Sequence, residues 1–110
     1  MVREALLLID SAELVLDPDA SPNGGMQVQN FLNGLWMGRV RLNDWEEVAR
    51  RLPYGDSIDP GTHNTPGSAE VLAGLTSSDR EALKKRICEL VEDLKERHPG
   101  FVARFPEQFS

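Results

Sequence analysis

Cysteine is almost missing from this sequence: Cys88 stands alone among 110 residues. That excludes an internal disulfide framework, and a lone thiol suits a reducing, cytoplasmic setting. Long apolar runs are missing too. The longest, Ala5 to Ile9, is far shorter than the roughly 20 residues that cross a bilayer, so no membrane contact is expected. No basic-then-apolar leader opens the chain, and secretion by that route is not expected. The short motifs of common chemistries are absent as well: no nucleophile elbow, no phosphate-binding glycine loop, no dinucleotide fingerprint and no paired-histidine zinc helix. No catalytic residue and no cofactor is indicated, and the expectation is a protein that is not an enzyme.

Positive charge is also in deficit. Eighteen acidic residues face twelve basic ones, for a net charge of −6. Non-specific nucleic-acid binding is driven mainly by Lys and Arg displacing counterions, so an acidic chain disfavours nucleic acid as a partner. The imbalance is uneven. Near the N-terminus Arg3 stands against Glu4, Asp10, Glu13, Asp17 and Asp19, whereas Arg39, Arg41, Arg50 and Arg51 cluster against Asp44, Glu46 and Glu47. The four arginines are candidates for a local anion patch. The alternative is a solvated face paired with its own glutamates.

What is present is helical periodicity. Forty per cent hydrophobic and 27 per cent charged residues describe a chain that folds, and its length suits a single domain over 1–110. From Ser78 to about Arg97, Leu83, Ile87, Leu90, Val91 and Leu94 recur on one face, with Ser77 or Ser78 as the expected cap and His98-Pro99-Gly100 as the stop. A second helix is expected over 43–52, with Asn43 and Glu46 as a capping pair and Trp45, Val48, Ala49 and Leu52 on one side. Val28, Phe31, Leu32, Leu35 and Trp36 align on a helix over about 26–37, weakened at Gly34, and Ser68 opens a shorter helix over 68–74. The fold class expected is therefore mostly α, four or five helices with two long Pro/Gly-rich loops at 17–25 and 53–67. Residues 5–16 admit two readings. Ala5, Leu8, Ile9, Ala12, Val15 and Leu16 share a helical face; alternatively, two short strands could pair as a hairpin in an α+β fold. Ala, Leu and Glu favour the helix.

Candidate site residues are few. Asp17 to Gly25 resembles the first half of a calcium loop, but Pro22 and Val28 stand where glycine and the closing glutamate belong, so a turn-rich linker is the better reading. Asp56, Asp59 and His63 form the one acid–acid–imidazole group close in sequence, a weak candidate for a metal or for acid–base chemistry. Cys88, beside Lys84 and Lys85, is expected as a half-buried structural thiol. The aspartate ending Leu6-Leu7-Leu8-Ile9-Asp10 would suit a hydrolytic α/β site only if βα units followed, and none does. In the C-terminal tail, 101–110, Phe101, Phe105 and Phe109 recur every fourth residue and either fill the core or face a partner. Trp36 and Trp45 pose the same choice.

The function expected is a small cytoplasmic, non-catalytic protein acting by protein–protein interaction, a regulator, inhibitor or adaptor whose partner is another protein or a second copy of itself. A metal-dependent or hydrolytic protein using the 53–67 loop is one alternative. An acidic decoy blocking a nucleic-acid-binding protein is another, and requires carboxylates arranged in a stripe.

Overall fold

The computed structural model describes residues 3–20, 24–53 and 68–110. Helical periodicity dominates as expected, and the described residues form six helices, against the four or five expected, and no strand. They are α1 (Arg3–Leu16), α2 (Gly24–Met37), α3 (Trp45–Arg50), α4 (Ser68–Gly74), α5 (Ser77–Arg97) and α6 (Pro99–Arg104).

The α5 stripe is the centre. Leu83, Ile87, Leu90, Val91 and Leu94 are buried, and α1 lays Ala5, Leu8, Ala12, Val15 and Leu16 against them. This excludes the hairpin alternative at 5–16. In a helix, residues three and four apart share a face, which puts these five apolar side chains inward together and leaves Glu4 and Asp10 in water. α2 packs on the other flank of α1 through Val28, Leu32 and Leu35. α3 and α4 close the bundle with Val48, Ala49, Leu52, Val71, Leu72 and Leu75. The five apolar α1 residues alone, each fully or nearly fully buried, are worth several kcal/mol of transfer free energy at about 25 cal/mol per Å².

Helix starts differ slightly from the sequence expectation. α5 is capped by Thr76, one residue before Ser77: its Oγ1 accepts from the Asp79 N–H at 3.1 Å and donates to the Asp79 carboxylate at 3.1 Å. α3 is capped by Asp44 rather than Asn43, because Asn43 lies inside a turn closed by the Asp44 N–H on the Arg41 carbonyl at 3.1 Å. Pro99 both stops α5 and starts α6, since a helix's first residue needs no N–H. The chain then turns back, and the Leu42 N–H donates to the Gln108 carbonyl at 2.8 Å, pinning the C-terminus beneath the α2–α3 connection.

Polar ties hold the helices in register. The Ser11 hydroxyl donates to the Pro53 carbonyl and the Ser68 hydroxyl to the Leu52 carbonyl, satisfying two main-chain acceptors just past α3. Arg80 on α5 joins three elements: it donates to the Leu72 carbonyl and to Glu46, each at 2.9 Å, and its guanidinium sits 5.5 Å from the Trp45 ring centroid. Arg86 pairs with Glu13 at 3.0 Å, and Arg97 pairs with both Asp93 and Asp19.

Candidate functional site

α2 differs in kind from the other helices. Its fourteen residues, GGMQVQNFLNGLWM, contain no charged side chain. Val28, Leu32 and Leu35 occupy the buried side, which leaves Met26, Gln29, Asn30, Gly34, Trp36 and Met37 facing water and Asn33 half-buried at their centre. Trp36 is 57% exposed, Met26 68% and Met37 77%. Three large apolar side chains and three carboxamides thus share one uncharged surface on a protein of net charge −6. Charge depletion with Trp and Met enrichment is the compositional mark of interface cores.

The outward side of α2 is a correction to the sequence reading, which placed Trp36 on the same face as Phe31, Leu32 and Leu35. The buried stripe is narrower, and Trp36 falls just outside it. Gly34 is part of the same surface. No atom beyond its own helix backbone lies within 4 Å of a Cβ built there, so nothing in this fold requires a glycine. Its cost in helix stability, about 1 kcal/mol relative to Ala, is met by no internal contact.

The other aromatic candidates are engaged within the chain. Trp45 is half-buried beneath Arg80. Phe101 is half-buried and meets the His98 ring edge-on, with centroids 6.3 Å apart. Phe105 and Phe109 belong to the core, so of the two readings for the tail it is the folded-back one that holds for these rings.

The four arginines divide between ion pairs and one shared recess. Arg50 pairs with Glu46 at 3.5 Å and with Glu47 at 3.2 Å, and Arg51 pairs with Glu47 at 3.3 Å. Arg39 and Arg41 make no ion pair among the described residues, and with Arg51 they border a shallow recess that Asp44 and Glu47 also line. These two carboxylates offset part of the positive field. Arg39 sits in the left-handed region, at φ 55°, at the end of α2.

Cys88 is exposed, not half-buried as expected, because it lies just off the α5 stripe. It borders a small recess of about 150 Å³ with Leu42, Val91, Phe109 and the buried Gln108, whose Oε1 has no hydrogen-bond partner among the described residues. Asp56, Asp59 and His63 lie outside the described residues, as does most of the 53–67 loop. Among the described residues no three His, Cys, Asp or Glu side chains come together as a metal site would need. No helix there is long and apolar enough to cross a membrane. Arg97 is held above the usual arginine value by its hydrogen bond and charge contact with Asp93, with Asp19 adding to the effect.

Sequence reasoning missed Met26 and Met37. The available signal was the unbroken absence of charge over 24–37, which an apolar-periodicity search does not register. No family model matches the sequence, and neither a curated protein nor a solved structure matches the chain.

Proposed function

We propose that this is a non-catalytic interaction protein whose contact surface is the outer face of α2. One observation carries the reading: Trp36, Met26 and Met37 stand in water on a helix without a single charge. Exposed Trp and Met on a surface depleted of charge are enriched where proteins meet. Covering a large apolar side chain contributes about 1.5–3 kcal/mol each. Asn30, Asn33 and Gln29 supply donors and acceptors that a neutral polypeptide surface can satisfy, and a charged groove would leave the apolar groups unmatched. The partner surface is accordingly uncharged and rich in apolar and carboxamide side chains. A cytoplasmic setting accords with the exposed, unpaired Cys88. The decoy alternative gains less support, since Glu13, Asp19, Glu46, Glu47, Glu92 and Asp93 each pair with a cation of this chain.

A photoreactive residue in place of Asn30, in the native lysate, tests this. Polypeptide adducts are expected from position 30, are expected to vanish when Met37→Asp is added, and are not expected from the same probe at Lys84. Adducts indifferent to Met37→Asp, or none at position 30, would remove the proposal.

A further inference from the structure

We infer that the occupant of the α2 face is a second copy of this chain, packed with its α2 antiparallel about a two-fold axis between Phe31 and Leu32; this rests on the interaction reading above and names its partner. The outer ridge of α2 runs Met26, Asn30, Asn33, Met37, a spacing of four, three and four residues, with the two methionines 68% and 77% exposed. Reversed end to end, the ridge reads the same. An isologous two-fold contact pairs residue i of one copy with residue j of the other and j with i, so chemically matched residues at mirrored positions suit it. Laid antiparallel, Met26 faces the partner's Met37 at both ends, and Asn30 faces the partner's Asn33 in the middle. Apolar meets apolar, and each carboxamide meets a group that both donates and accepts.

Two further features agree. Gly34, on one flank of the ridge, has open space where a Cβ would stand, which lets the opposing helix approach closely on that side. Charge points the same way. Two chains of net charge −6 repel wherever acidic surface meets acidic surface, and α2 carries no charge to oppose its own copy. Antiparallel alignment sets each helix's positive end beside the other's negative end.

The test uses the full chain with Cys88→Ala, carrying either Met26→Cys or Met37→Cys, and a short bis-maleimide. In the antiparallel pair, position 26 lies beside position 37 of the partner but about 16 Å along the axis from position 26, eleven residues away at 1.5 Å each. Cross-linked dimer is expected from the mixture of the two variants and not from either alone. Sedimentation of the wild-type chain is expected to show a monomer–dimer equilibrium. Asn30→Asp with Asn33→Asp, which sets like charges opposite one another, weakens it about tenfold or more while leaving the helical circular dichroism unchanged. A wild-type chain that stays monomeric at millimolar concentration overturns the inference, and so does cross-linking of Met26→Cys with itself. If the chain is monomeric while the photoprobe at position 30 still gives adducts with another protein that Met37→Asp abolishes, the interaction reading stands and the self-pairing falls.

Discussion

The end of α2 shows how much one backbone angle decides. The Val40 N–H bonds the Leu35 carbonyl at 2.8 Å and the Arg39 N–H bonds the Trp36 carbonyl at 3.2 Å, which closes the helix with one left-handed residue. That residue is Arg39, although Gly38 stands immediately before it. An L-residue there costs about 1–2 kcal/mol relative to a conformation it prefers. Arg39→Gly is therefore expected to stabilise the chain by about 1 kcal/mol, read as a higher denaturation midpoint, with no change in helical signal. Gly38 is used differently. A Cβ there would lie 2.7 Å from the Arg51 guanidinium, the end of a flexible side chain that would swing aside from its pairing with Glu47. Gly34 meets nothing, and Gly34→Ala is expected to have two effects of opposite sign. Dilute chain gains about 0.5–1 kcal/mol from the better helix former, measured by denaturation. Self-association weakens, measured by sedimentation, because the added methyl group holds the second helix away.

At the scale of elements, the sequence announces a helix clearly when its apolar stripe is broad and its partner is the core. α5 is legible because five residues at three- and four-residue intervals have no other use than burial. α1 was ambiguous because Leu6 to Ile9 suits a strand as well, and only packing against α5 decides between them. α6 was hidden because Pro99 is read first as a stop, and a stop in one helix serves as a start in the next. The outward face of α2 escaped notice for a similar reason. Periodicity reports what turns inward, and Trp36 borders the inward stripe closely enough to be counted with it. Caps are legible in kind but not in position. Ser77 and Ser78 have the right chemistry for a cap, yet Thr76 occupies the extended residue whose hydroxyl reaches the Asp79 N–H. Thr76→Ala is expected to cost about 1 kcal/mol by chemical denaturation, while Ser77→Ala and Ser78→Ala, inside the first turn, are expected to change stability by less than half as much.

At the scale of the whole molecule, net charge and local neutrality act against each other, and salt separates them. Each chain carries −6, and at roughly 0.01 M ionic strength the screening length is about 30 Å, comparable to the 37 × 29 × 24 Å extents of the protein. The two copies then repel across their full width, while the α2 contact itself involves no charge for salt to screen. Near 0.1 M the screening length falls to about 10 Å, and most of the repulsion is lost without any loss of the contact. Raising salt from 10 to 300 mM is therefore expected to tighten self-association, seen as a rising dimer fraction at fixed protein concentration. An acidic decoy seated in a basic groove has the opposite dependence, since its affinity comes from the charges that salt screens. Tightening accords with a contact that uses no charge, whereas weakening would show that pairs of opposite charge hold the copies together and would move the contact away from Trp36, Met26 and Met37.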